Sequence, residues 1–307
     1  MGPFRPGQGP GTATPPSTPR NGRRSSAAPP PARLVTAAYL RCLRRARGIS
    51  VRSTAEAVDT PVASIYRWES AKNAPPPDVL ERLLLHYGAG EHVDYLTRGA
   101  ASDRADMVRR PADGIWTDAG AGAARRYLAV TRIASKMTEI CVRVPVGLLT
   151  PAYEAAVLKS AAGTGPGERD LEWVRRVRTA EDQQRTVLLD ETALTRQIGE
   201  PGVFADQLRH LAGVVHSESP GGQGLVIRIL PRDQAERIRS TVSSPDIADA
   251  MVYGHRLVTT LGPSPRYGTG SDAVRTVGEA VREAMSCAWS REKTCELLLS
   301  AARAAAS

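Results

Sequence analysis

Two short helical patterns abut across one turn in residues 48–75, GISVRSTAEAVDTPVASIYRWESAKNAP, and this close pairing constrains the fold more than any other feature of the chain. Ser50 is suited to cap the first helix, because its hydroxyl can accept a first-turn amide hydrogen that has no carbonyl partner. Val51, Thr54, Ala55 and Val58 then line one small-to-apolar face, which Asp59 and Thr60 interrupt. Thr60 followed by Pro61 predicts a second helix start, since the first helical position does not need the N–H that proline lacks. Ile65 and Trp68 provide its buried side, and Ala55 falls where a larger side chain would push the two helices apart. A pair of this kind is a helix-turn-helix, whose second helix enters the major groove of double-stranded DNA.

The flanks extend the pattern. Leu34, Ala37, Ala38, Leu40, Cys42 and Leu43 predict an earlier helix closed by Gly48. Asp78 is placed to cap a later helix carrying Val79, Leu80, Leu83, Leu84 and Tyr87 and closed by Gly88, and His92, Val93, Tyr95 and Leu96 predict a fifth helix or turn. Residues 33–98 are therefore expected to form a five-helix DNA-binding domain, and the chain as a whole to be mainly α.

From Leu34 to Leu96 the chain resembles the XRE, or phage-repressor-like (lambda-repressor-like), helix-turn-helix family, through Gly48-Ile49-Ser50, Ala55-Glu56, and Ser64, Ile65, Arg67 and Glu69. The resemblance implies a structural ion pair between Arg44 and Glu69. It also implies a groove-facing set of Pro61, Val62, Ala63, Tyr66 and Arg67. Within that set Arg67 is suited to bidentate bonds to guanine, and Val62 and Ala63 to thymine methyls. Ser50, Arg52, Ser64, Ser70, Lys72 and Asn73 complete the expected DNA-binding residues, mostly as phosphate contacts. A plainer reading of the same residues makes Arg67 a solvated surface cation and Tyr66 a packing residue. Two positions depart from the family pattern: Val51 stands where a phosphate-clamping glutamine is usual, and Asp59 where the turn usually has glycine.

Charge agrees with a polyanionic partner. The formal net charge is +9, and most of the excess is N-terminal: residues 1–32 hold four arginines and no acid, and residues 33–98 hold ten basic against seven acidic side chains. Residues 1–32, rich in Pro, Gly and Ser, lack the apolar groups to offset chain entropy and are expected to be a disordered basic tail. No stretch has the pattern of a signal peptide or the length of a membrane span, which predicts a cytoplasmic protein with no membrane contact. Cys42, Cys141, Cys287 and Cys295 are scattered, and the five histidines have no metal-ligand spacing, so neither a metal nor a cofactor is expected.

Residues 99–114 read as a linker, and residues 115–305 as a second domain of α+β type. Its predicted helices cover 125–142, a segment starting at Thr150-Pro151, 171–185, 203–215, 272–285 and 290–305; its predicted strands, taken as antiparallel, cover 186–189, 225–230 and 250–261. This half resembles the C-terminal domain of WhiJ-like regulators through VPVGLLTPAY, the Asp190-Glu191 segment up to Leu194, and Ile229-Leu230-Pro231. The resemblance implies an antitoxin-like domain that binds a ligand or a small partner protein encoded nearby. Leu149 stands where that family usually has glutamine, and the segment after Leu230 is expected to be a loop of altered composition. Asp190, Glu191 and Arg196 read as a turn held by surface ion pairs rather than as a ligand site.

No catalytic motif is present, since Asp190 and Glu191 point apart and the glycine-rich segments 163–167 and 221–224 lack the strand-turn-helix context of a phosphate cradle. The expected function is a non-enzymatic, homodimeric, sequence-specific DNA-binding transcriptional regulator. The alternative is a protein-interaction module with a degenerate helix-turn-helix and no specific DNA binding.

Overall fold

The computed structural model describes residue 2 and residues 28–98, 114–160, 172, 173, 175–177, 179, 182–219 and 224–307. The N-terminal half is helical: α1 (Pro31–Ala46), α2 (Val51–Ala57), α3 (Val62–Trp68) and α4 (Pro77–His86) precede a 3-10 turn, Gly90–His92, that runs into helical residues 93–98. Gly48, at φ 65°, takes the left-handed conformation that ends α1. Two helix starts differ from expectation. Pro61 rather than Thr60 is the N-cap of α3, and Pro76 caps α4, leaving Asp78 in the first turn, where its charge faces the positive end of the helix. The tail expected over residues 1–32 lies outside the described residues apart from residues 2 and 28–32, the last two of which open α1; the linker expected over 99–114 lies outside them apart from Gly114.

The second half is built on a seven-stranded mixed sheet in the order β1-β7-β6-β5-β2-β3-β4. The strands are β1 (Ile115–Thr117), β2 (Lys136–Cys141), β3 (Gln184–Asp190), β4 (Leu225–Leu230), β5 (Asp246–Val252), β6 (His255–Leu261) and β7 (Arg266–Gly268). The helices are α5 (Ala123–Ile133), α6 (Pro151–Ser160), α7 (Pro201–His216), α8 (Arg232–Val242), α9 (Ser271–Cys287) and α10 (Arg291–Ala305).

Several expectations are corrected. β2 pairs with β3, and β3 with β4, in parallel, so the sheet is not antiparallel throughout. Parallel neighbours need a long crossover, and α6 and α7 lie in the two connections. The helix predicted over 125–142 stops at Ile133, and Lys136–Cys141 becomes a strand because it is paired on both sides, with β3 and with β5. The run 250–261 is a hairpin: Val252 faces His255, and Tyr253 (φ 53°) with Gly254 (φ 78°) makes the two-residue turn. Gln184 and Arg185 belong to β3 rather than to a charged helix, and the expected loop after Leu230 is α8. The glycine-rich segments 163–167 and 221–224 fall outside the described residues, Gly224 excepted.

Helices cover both faces of the sheet. Val187, Leu189, Phe204, Leu208, Ile227 and Leu298 form the core on one side, where α7 and α10 pack together, and Ile140, Leu188, Ile238, Ile247 and Val281 form it on the other, under α8 and α9. A third core joins the two halves of the chain. Leu34, Tyr39 and Cys42 of α1 are continuous with Ala129 and Val130 of α5 and with Met137, Leu257 and Tyr267 of the sheet. The helical domain is thus seated on the sheet through α1.

Candidate nucleic-acid interface

Bonds hold both the start of α2 and the turn between α2 and α3. Ser50 caps α2 by accepting the Ser53 N–H at 3.0 Å, and Thr54 Oγ1 donates to the Ser50 carbonyl at 3.1 Å. Beyond α2, the Thr60 N–H returns to the Ala55 carbonyl at 2.9 Å, and Arg82 of α4 donates to the Val58 carbonyl at 2.8 Å, satisfying a group the helix end would otherwise leave open. Ala55, Val58, Ile65 and Trp68 are buried between the helices. Tyr87 donates to Thr54 Oγ1 at 3.3 Å, and burial pushes its phenol well above its ordinary titration range.

Arg44 of α1 holds the far end of α3. Its Nε and Nη2 donate to Glu69 Oε1 and Oε2 at 2.7 and 2.8 Å, and Nη1 donates to the Ile49 carbonyl at 2.9 Å. The fork clamps three segments at once: the end of α1, the entry to α2 and the exit of α3. The Glu69 carboxylate raises the guanidinium's affinity for its proton still further.

With that scaffold in place, Pro61, Val62, Ala63, Tyr66 and Arg67 lie together on the exposed side of α3, Val62 at 40% and Tyr66 at 59% of full exposure. Lys72 and Asn73 are exposed just beyond, where Ala71 (φ 57°) turns the chain and the Lys72 N–H closes on the Arg67 carbonyl at 2.9 Å. The remaining predicted residues are more constrained. Ser64 is half-buried; the Ser70 hydroxyl donates to the Tyr66 carbonyl at 2.7 Å; Arg52 pairs with Glu56 at 3.1 Å on an exposed helix face; and Ser50 is engaged as a cap. The exposure of Tyr66 removes the packing reading of that residue. Arg82 and Tyr87 went unnoticed as parts of this site. The spacing of Arg82 from Asp78 resembles an ordinary surface pair, and the two do lie 3.6 Å apart, so nothing local marks the bond to Val58.

A model described as a helix-turn-helix domain matches residues 37–96, which run from within α1 to the fifth helical segment. A second model, described as a domain of unknown function (DUF5753), matches residues 124–300, more than half of the chain. The chain belongs to the DUF5753 family. No curated protein and no solved structure matches it. In this DUF5753 member the family domain runs from α5 into α10, and the helix-turn-helix domain in front of it is the part of the chain that suggests a DNA-binding regulator. Among the described residues no helix is long and apolar enough to cross a membrane, and no cluster of His, Cys, Asp and Glu is arranged to hold a metal. Within the DUF5753 domain, Asp190 is buried, accepts the Thr192 N–H at 2.7 Å and pairs with Arg239, while Glu191 accepts the Arg232 N–H at 3.1 Å. These two acids join β3 to α8, a bond network deeper than the surface pairing expected of them.

The turn between α2 and α3 passes through the left-handed region at a non-glycine residue. Asp59 sits at φ 47°, a conformation that glycine enters at little steric cost. Asp59→Gly should therefore stabilise the protein by about 0.5 kcal/mol, the relief of strain being partly offset by the greater freedom of glycine in the unfolded chain. Urea denaturation of the two proteins checks it; a less stable variant would mean that the Asp59 side chain itself holds the turn.

Proposed function

We propose that the protein is a dimeric, sequence-specific transcriptional regulator of the XRE type, cytoplasmic and without catalytic activity, whose WhiJ-like C-terminal domain binds a partner protein or ligand. The observation that carries this reading is the exposed strip of α3 on a helix braced at both ends, by Arg82 at the turn and by Arg44 at Glu69. A recognition helix must be held in place for its side chains to meet base edges, and these two anchors support that role for α3. Arg67 reads guanine by two parallel hydrogen bonds, Val62 and Ala63 contact thymine methyls, and Tyr66 packs against the groove wall. Lys72 and Asn73 hold phosphates, with Ser50, Arg52, Ser64 and Ser70 at the edge of the contact. A single α3 reads few base pairs, so two copies on half-sites about one helical turn apart supply the specificity.

Fluorescence anisotropy with the chain's own upstream DNA and with a scrambled duplex, at two salt concentrations, tests this. Arg67→Ala is expected to cost about 1–3 kcal/mol on the cognate duplex and much less on the scrambled one. Lys72→Ala should weaken both equally and flatten the salt dependence by about one phosphate contact. Equal losses on both duplexes for Arg67→Ala would remove the base-reading role. The second reading, a protein-interaction module, is favoured by the apolar exposure of Val62, Ala63 and Tyr66; weak binding, equal on both duplexes and lost with salt, would select it.

A further inference from the structure

A cavity of about 280 Å³ opens where the helix-turn-helix domain meets the first strand of the sheet. Trp68, the last residue of α3, Leu80 of α4, Leu96 and Trp116 of β1 form its apolar wall, with Asn73 and Arg98 at an exposed edge. The wall is set by the core. Trp68, Leu80 and Leu96 are buried, and the half-buried Trp116 stacks on Tyr267 with ring centroids 5.5 Å apart. The described lining residues include two arginines, Arg33 and Arg98, and no carboxylate. Arg98 Nε donates to the Asp94 carbonyl at 2.9 Å, which anchors the guanidinium at the edge of the cavity.

We propose that this cavity is an effector site for a small flat aromatic carboxylate, and that its occupancy changes the affinity of α3 for DNA; the second half of this rests on the DNA-binding reading above. Size sets the class. An apolar cavity of about 150 Å³ accepts benzene, so the volume here suits about two fused rings. The Trp68 and Trp116 side chains that line the space offer aromatic contact to such a ring system, and a carboxylate at the Arg98 edge takes charge-assisted hydrogen bonds that a neutral ligand cannot. Coupling follows from what the cavity is made of. Trp68 belongs to α3 itself, and Asn73, Ala74 and Pro75, which also line the cavity, continue from α3 through Lys72. A ligand in this space touches the end of the recognition helix and the phosphate-facing segment after it, so it binds differently to any two arrangements of that segment, and such a difference shifts an equilibrium.

Calorimetric titration of the full chain with 2-naphthoate, with neutral 2-naphthamide as control, tests the site without any DNA. Saturable binding at one site per chain is expected. Ala32→Phe, which projects a ring into the cavity from a half-buried position at the start of α1, should weaken both probes at least tenfold. Arg98→Gln, at an exposed position, should weaken 2-naphthoate about tenfold and leave 2-naphthamide unchanged. No saturable heat with the wild-type chain, or wild-type affinity in both variants, overturns the site; Arg98→Gln alone decides the matter if Ala32→Phe does not fold. Saturating 2-naphthoate is then expected to change the anisotropy-derived Kd for the upstream duplex at least threefold. Duplex binding that 2-naphthoate leaves unchanged overturns the coupling. Binding of 2-naphthoate to a chain that binds no duplex under either condition overturns the DNA-binding reading, and the coupling with it, and leaves the cavity assignment standing.

Discussion

Asp118→Ala is expected to lower the free energy of unfolding by about 3–5 kcal/mol, read as a fall in the urea midpoint with little change in slope. Asp118 and Arg126 are both 0% exposed, and Arg126 Nε and Nη2 donate to the two carboxylate oxygens at 2.7 and 2.6 Å. Two further bonds, to the Ala121 and Gly120 carbonyls at 2.8 and 3.2 Å, bring the guanidinium to four hydrogen bonds. Without the carboxylate, a charge that cannot reach water keeps only neutral partners. The position amplifies the loss. Asp118 follows β1, Arg126 lies in α5, and the Tyr95 ring from the helical domain lies 5.0 Å from the guanidinium carbon while its hydroxyl accepts the Ala119 N–H at 3.1 Å. The pair therefore sits at the seam between the two halves of the chain. Substituting both residues with apolar groups of similar size, Asp118→Leu with Arg126→Met, should recover much of the loss, because neither buried charge is then left alone. A cost below about 1 kcal/mol for Asp118→Ala would mean that water reaches the guanidinium.

Glu69→Ala is expected to cost about 3 kcal/mol and to abolish tight DNA binding at temperatures where the rest of the chain stays folded. The Glu69 and Arg44 side chains are 6% and 12% exposed, so the penalty is that of a nearly buried guanidinium deprived of its acid. What separates this variant from Asp118→Ala is locality. Arg44 also holds the Ile49 carbonyl, so its loss of orientation loosens the entry to α2 and the exit of α3 together. Circular dichroism melts should show a smaller early transition in the helical signal, and anisotropy should show DNA affinity falling within that transition. Unchanged affinity for the upstream duplex would mean that the geometry of α3 does not depend on the clamp.

The helix-turn-helix was legible because its signals are local. The Ser50 cap acts over three residues, Gly48 ends α1 by its own conformation, and the burial of Ala55, Ile65 and Trp68 follows from helical spacing alone. Misplaced boundaries there were single-residue choices, such as Pro61 in place of Thr60, in which neighbouring caps compete on nearly equal terms. The DUF5753 domain was legible in its longer helices and in β4, which Pro231 delimits. Lys136–Cys141 was not, because its alternation is short and continues a helical pattern. What makes it a strand is hydrogen bonding to β3 and to β5, segments far along the chain. The hairpin at Tyr253-Gly254 was hidden for a different reason: tyrosine rarely takes positive φ and does not advertise a turn.

The sequence by itself determined the helix-turn-helix and the helical and strand-forming character of most of the second half, because caps, periodicity and turn chemistry act within one or two turns of the chain. Only the tertiary structure decided the parallel pairing of β2, β3 and β4, the seating of α1 on α5, the sealed Asp118–Arg126 pair and the cavity between Trp68 and Trp116. Each of these joins residues that no short window of sequence contains, and each depends on which distant segments exclude water from one another.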